Sequence, residues 1–209
     1  MMLQIINGTK QYGNTPALLQ NVNLKFEPGK MYALIGPSGI GKSTILNSLA
    51  KLDELTSGQI MVDDTDLYGM SVITYFREYL GYLFQNYALI EEDTVQQNLR
   101  LVRRYPVIEL QTALEKFGLS ASYLKRKVYS LSGGEAQRVA LARLYLKNPP
   151  IILADEPTGA LDKGNTKLVV QSLQAMAQSN KIVIVATHDD YVANQADVVI
   201  DVSQFHGSN

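Results

Sequence analysis

The sequence has no cysteine and only two histidines, His188 and His206. Disulfides, thiolate metal sites and cysteine nucleophiles are therefore impossible, and two histidines are too few to build a metal cage of their own. A reduced, intracellular setting is the expectation. Excess charge is missing too. Lys plus Arg at 19 against Asp plus Glu at 20 leave a net charge of -1, which removes the basic footprint of a protein that lives on phosphate backbones, so no nucleic-acid partner is expected. Long apolar runs are also absent: stretches such as 182–186 are five residues long, against roughly 20 for a bilayer span. Residues 1–20 lack the charged and apolar regions of a signal peptide. Work at a membrane would need another polypeptide to do the spanning.

What is present is enough apolar material, 46% of 209 residues, for one sizeable core. Strands are predicted at 3–9, 22–27, 31–35, 60–62, 82–84, 151–154, 181–186 and 198–202. Helices are predicted at 44–52, with Ile45, Leu46, Leu49 and Leu52 at helical spacing, and at 94–102 behind a Thr94 cap. Further helices are expected at 107–117, 134–145 and 167–177. On the helix at 134–145, Val139, Leu141, Ala142 and Tyr145 are the candidates for the buried side. Apolar strands alternating with helices imply an α/β fold with a mainly parallel core sheet covered on both faces. Residues 86–131 read as a mostly helical insertion within a single domain spanning 1–209.

Residues 36–43 read Gly36-Pro37-Ser38-Gly39-Ile40-Gly41-Lys42-Ser43, between a predicted strand and a predicted helix. This is the full phosphate-binding loop pattern in its required context. Glycines let successive backbone N–H groups face phosphate oxygens, and the helix N-terminus adds its positive dipole end. Lys42 would reach the β- and γ-phosphates, the Ser43 hydroxyl would ligate Mg²⁺, and Thr44 completes the binding segment. The strand at 151–154 delivers Asp155 and Glu156 at its C-terminal end, the edge where open α/β sheets bind ligands. Alternation sends neighbouring side chains different ways, so Asp155 can serve the metal while Glu156 serves an attacking water. Taken alone, such acids also end strands for solubility.

Residues 131–135, Leu-Ser-Gly-Gly-Glu, stand about twenty residues before Asp155. They resemble the signature motif of ABC-type ATPases. The ordered set of Tyr12, the loop from Gly36 to Ser43, Gln85, the 131–135 motif, Asp155-Glu156, Ala160-Leu161-Asp162 and His188 is similar to that family's full complement, nearly end to end. The resemblance implies a P-loop NTPase fold with an N-terminal antiparallel β subdomain and the helical subdomain at about 86–131. It implies that Tyr12 stacks on adenine, a role a π face can fill, and that Gln85 touches Mg²⁺ and senses a membrane partner. Ser132, Gly133 and Gly134 open a helix and would bind the γ-phosphate held by a second subunit. Asp162 matches a loop crossing the dimer interface; a helix N-cap acid is the other reading, and both can hold. His188 matches the residue that contacts the γ-phosphate and steadies the water. Glu135 departs from the family's commoner glutamine; its charge suits a helix start, and we expect it to face away from the nucleotide. The basic run 125–127 is expected to be a solvated face.

The implied function is an ATPase, binding ATP and Mg²⁺, that works as a head-to-tail homodimer beside an integral membrane permease, at the cytoplasmic face of the cell membrane. The runs at 81–85 and 153–162 look most like the macrolide-exporter, lipoprotein-release and bacteriocin-export branch. The motifs run from Tyr12 to His188, so no fused membrane part is expected. Alternatives are a non-transport member, such as an activator of cell-wall hydrolases, or an amino-acid importer ATPase. A small-molecule kinase sharing the phosphate loop would leave 131–135 without a role.

Overall fold

The computed structural model describes residues 1–159 and 163–207. An antiparallel sheet orders as β2-β1-β4-β5, built from β1 (Leu3–Lys10), β2 (Leu19–Phe26), β4 (Ser57–Val62) and β5 (Thr65–Asp66). A second sheet orders as β6-β7-β8-β3-β9, from β3 (Lys30–Ile35), β6 (Leu80–Leu83), β7 (Ile151–Asp155), β8 (Ile182–Ala186) and β9 (Val198–Asp201). All of its pairings are parallel. The helices are α1 (Lys42–Leu49), α2 (Val72–Thr74), α3 (Val95–Arg100), α4 (Val107–Lys116), α5 (Gly133–Lys147), α6 (Lys163–Gln178) and α7 (Asp190–Asn194). The expected α/β class, with a parallel core sheet and an N-terminal antiparallel sheet, is what the structure shows.

Every residue of β8 is buried, and so are the first four of β7. Their side chains divide strictly by parity, as alternation along a strand requires. Ile151, Leu153, Ile182 and Ile184 join Leu3, Phe26, Ile45, Leu46 and Leu49 in a core between the two sheets and α1. Ile152, Ala154, Val183 and Val185 join a second core with α4, α5 and α6. Each buried aliphatic side chain contributes about 1.5–3 kcal/mol, so a one-residue slip in either strand would invert both cores.

The stretch 86–131 holds α3, α4 and two 3₁₀ turns (Ala121–Lys125 and Val128–Ser130). Its Val95, Leu99, Leu110, Leu114 and Phe117 lie in the same core as Val139 and Leu141 of α5. Thr94 caps α3 in a reciprocal box with Gln97. Two apolar assignments need correction. Leu52 is exposed because α1 ends at Leu49 and the chain turns there, with Leu52 N donating to Asn47 O. Tyr145 is 41% exposed while Val139, Leu141 and Ala142 are buried; its ring stands edge-on to Phe117 with the Lys116 ammonium over it, so a long phenol finds cover without entering the core. The basic run is only partly a solvated face: Arg126 reaches Glu135 and the Ser130 carbonyl, and Lys127 the Glu92 carbonyl.

Buried Asn98 holds the entry to α3. Its side chain accepts from Ile90 N at 2.8 Å and donates to Ile90 O at 3.0 Å and Thr94 O at 3.2 Å. Asn98→Ala leaves Ile90 N without its partner, while Ile90 O keeps Asp93 N and Thr94 O keeps the residue 98 N–H, and is expected to cost about 1–3 kcal/mol, read from the urea midpoint. A loss under about 0.5 kcal/mol would show that the amide is not what orders this entry.

Candidate functional site

The loop after β3 needs glycine where its backbone turns left-handed, at Gly36 (φ +135°) and Gly41 (φ +111°); a Cβ on Gly41 would also come within 2.9 Å of the Leu19 side chain. Gly41 caps α1 with no side-chain hydrogen bond, and the helix's first turn carries no acid. Its N–H groups are therefore offered to an external anion. Lys42, 7% exposed, folds back so that Nζ donates to Gly36 O at 2.8 Å and Pro37 O at 3.0 Å. The ammonium thus lies over the loop, while Ser43 Oγ donates to Asp155 Oδ1 at 3.0 Å.

Asp155 and Glu156 leave β7 in different directions. Burial pushes the Asp155 carboxyl above its ordinary pKa, against the lowering effect of the Ser43 hydroxyl; the Glu156 charge adds to the rise. Glu156 turns left-handed (φ +45°) and its N–H donates to Ala186 O at 2.9 Å. Its Oε2 lies 2.9 Å from His188 Nδ1 and accepts from His188 N at 3.4 Å. The imidazole itself is largely exposed, so one side of it is open to a ligand. Gln85 is exposed, two residues beyond the last β6–β7 pair, Leu83 with Ala154. The structure thus brings Lys42, Ser43, Asp155, Glu156 and His188 to one sheet edge, with Gln85 on the loop leaving the neighbouring strand.

The other elements sit elsewhere. Ser132 is the N-cap of α5: its side chain accepts from Glu135 N at 3.3 Å, and Glu135 Oε2 accepts from Ser132 N at 2.7 Å. Glu135 Oε1 takes the Tyr123 hydroxyl and the Arg126 guanidinium. Tyr123 first and the Ser132 amide next pull its carboxyl down to about 2. The carboxylate is thereby spent inside its own helix start; among the described residues its bonds do not reach the phosphate loop. Gly133 faces open space, whereas a Cβ on Gly134 would come within 2.8 Å of Asn165 Nδ2. Half-exposed Tyr12 donates its hydroxyl to Asp53 Oδ2 at 2.5 Å. Asp162, with Ala160 and Leu161, lies outside the described residues.

Sequence reasoning passed over two contributors. Buried Gln137 of α5 donates to the carbonyl of Pro157, one residue past Glu156, and Asn165 Oδ1 accepts from Arg138 at 2.6 Å beside Gly134. Their signal was faint, because a glutamine on an otherwise mixed helix gives no periodic hint of burial.

A phosphate loop between strand and helix, a carboxylate pair at the end of β7, two strands away in the sheet, and a histidine against it define a nucleotide-binding α/β domain of the P-loop class. The chain belongs to the ABC transporter family: that family's model matches residues 19–159. It is 38% identical over 215 residues to the lipoprotein-releasing system ATP-binding protein LolD of Anaplasma marginale, covering 97% of this chain and 96% of that one. The MG065 homolog of Mycoplasma pneumoniae is 36% identical over 199 residues, 90% of this chain but 42% of its own, so the chain spans less than half the length of that relative. The MJ0796 cassette of Methanocaldococcus jannaschii, solved as a dimer, superposes with a TM-score of 0.83 at 33% identity over 96% of this chain and 95% of that one. A second dimeric structure of it, bound to ADP and Pi, gives 0.84 at 32% identity over the same shares of the two chains.

Because Glu135's folded pKa of about 2 lies below its ordinary 4.5, the unfolded chain binds the proton more readily. The carboxylate's contribution is complete above about pH 4.5 and is lost as pH falls toward 2. The melting temperature of the wild type should therefore fall more steeply between about pH 5 and about pH 2.5 than that of Glu135→Gln. Parallel curves would refute the assignment.

Proposed function

We propose that the chain binds and hydrolyses ATP as one half of a head-to-tail dimer and drives a separate integral membrane partner, at the cytoplasmic face of the cell membrane. The carrying observation is the convergence of Lys42, Ser43 with Asp155, and Glu156 with His188 on one edge, 3.0 Å and 2.9 Å separating the two pairs. Residues 36–44 cradle the phosphates, with Lys42 exchanging its carbonyl partners for the β- and γ-phosphates. Ser43, Asp155 and Gln85 offer oxygen ligands, which suit Mg²⁺. Among the described residues no three His, Cys, Asp or Glu side chains cluster as a metal cage. When bound, Mg²⁺ neutralises charge on the phosphates.

Glu156 acts as general base or water-positioner and His188 holds its carboxylate. The attacking water's oxygen bonds to the γ-phosphorus as the bond to the bridging oxygen breaks, giving ADP and phosphate. The side-chain bonds of Ser132 and Glu135 stay within residues 123–135, and the Ser132 hydroxyl with the N–H groups of Gly133 and Gly134 are read as donors to the γ-phosphate of a second copy, with Asp162 at that interface. Tyr12 stacks on the base.

The chain acts as a single ABC ATPase domain in which 86–131 forms the helical subdomain. No helix among the described residues is long and apolar enough to cross a membrane. The membrane partner docks near 85–97; just before that segment Phe84, with exposed Val72, Ile73 and Leu101, lines a groove of about 530 Å³. Within the family we favour export or release of peptides, lipoproteins or antibiotics. Near-full-length similarity to LolD supports this reading.

Glu156→Gln should keep ATP binding, lower turnover by about 10²-fold or more, and accumulate an ATP-bound dimer on size-exclusion chromatography. Wild-type turnover in this variant would refute the catalytic role. Gly133→Asp tests the shared site cleanly, since nothing lies within 4 Å of the added Cβ. Its monomer should bind ATP as tightly as wild type while hydrolysis collapses, and undiminished hydrolysis would sink the two-subunit site.

A further inference from the structure

Among the described residues two lysines are buried, Lys42 and Lys10, each 7% exposed. Lys42 belongs to the phosphate loop; Lys10 has no place in the reading above. It ends β1 with its ammonium against Asp53 Oδ1, donates to Glu54 O at 2.6 Å, and stands 4.6 Å from the centroid of the Tyr12 ring. The other oxygen of Asp53 takes the Tyr12 hydroxyl at 2.5 Å. One carboxylate is thus shared between a cation lying over the ring and the hydroxyl at the ring's tip. Burial raises the Asp53 pKa, but Lys10 and Tyr12 outweigh it and hold the carboxyl below its ordinary value.

A tyrosine on an exposed turn would lose two torsional freedoms on stacking, and that cost falls when the ring is already fixed. The Lys10 ammonium occupies one face by a cation–π contact, which leaves the opposite face of a half-exposed ring for a ligand. Resting on the stacking reading of Tyr12, we propose that Lys10 and Asp53 are positioning residues for the nucleotide base: they lock the ring so that its face away from Lys10 meets adenine, at a set place relative to α1 and the phosphate loop. A pair that served only to join β1 to the segment after α1 would affect stability without regard to the base.

The test measures, by titration calorimetry with Mg²⁺, the Kd of ATP and of inorganic tripolyphosphate, which lacks base and ribose. Tyr12→Ala should weaken ATP about tenfold and leave tripolyphosphate unchanged. Asp53→Asn and Tyr12→Phe should each weaken ATP about threefold, again sparing tripolyphosphate, and the double variant Tyr12→Ala/Asp53→Asn should be no weaker than Tyr12→Ala alone. Wild-type ATP binding by Asp53→Asn and Tyr12→Phe, with Tyr12→Ala weakened, overturns the positioning role and leaves stacking intact. Unchanged ATP binding by Tyr12→Ala overturns both. Equal losses for ATP and tripolyphosphate, or a further loss in the double variant, assign the pair to the fold and refute the proposal. Should Asp53→Asn not fold, Tyr12→Phe, which removes one hydroxyl, decides by the same two ligands.

Discussion

The pairing of β3, β8 and β7 is the constraint on which the rest depends. Ala186, the last residue of β8, is in register with Leu34 on one side and Asp155 on the other. Two backbone hydrogen bonds secure the exits: Thr187 N donates to Leu34 O and Glu156 N to Ala186 O. The segments leaving the three strands are the phosphate loop, Glu156 and His188, so a single register brings all three to one place. Burial of these strands on both faces makes the register costly to change.

The chemistry at that edge depends on charge that burial alone would suppress. Asp155 is raised in pKa by its surroundings and steadied by Ser43, and it stands next to a second carboxylate. Sending Glu156 into a left-handed turn separates the two, so each acid has its own partner. Lys42 rests on loop carbonyls. A triphosphate with its cation would meet an ammonium and uncapped N–H groups on one side and oxygen ligands on the other, which suits phosphoryl transfer governed by positioning and electrostatics.

Parts of the site that are contiguous in the chain were legible in the sequence. The glycines at 36 and 41 announce left-handed backbone, the apolar run before Asp155-Glu156 announces a buried strand, and Ser132 with Glu135 announces a capped helix. The π turn at Tyr75–Tyr79, the five-residue α7 and the two-residue β5 were not legible, because such short pieces carry too few residues to show a period. Tyr145 fell on the wrong side for a related reason: spacing assigned it to the buried face, and Phe117, distant in the chain, gave it a surface niche instead.

The sequence by itself determined the strand, glycine-rich loop and helix around residues 36–43, the order of the motifs and the parity that divides Ile182 and Ile184 from Val183 and Val185, since each depends on neighbouring residues. Only the tertiary structure decided that Asp53, 41 residues beyond Tyr12, holds its hydroxyl and the Lys10 ammonium, and that His188 rests on Glu156. Those contacts arise where separate strands and helices meet, and no local pattern encodes which distant side chain will be waiting there.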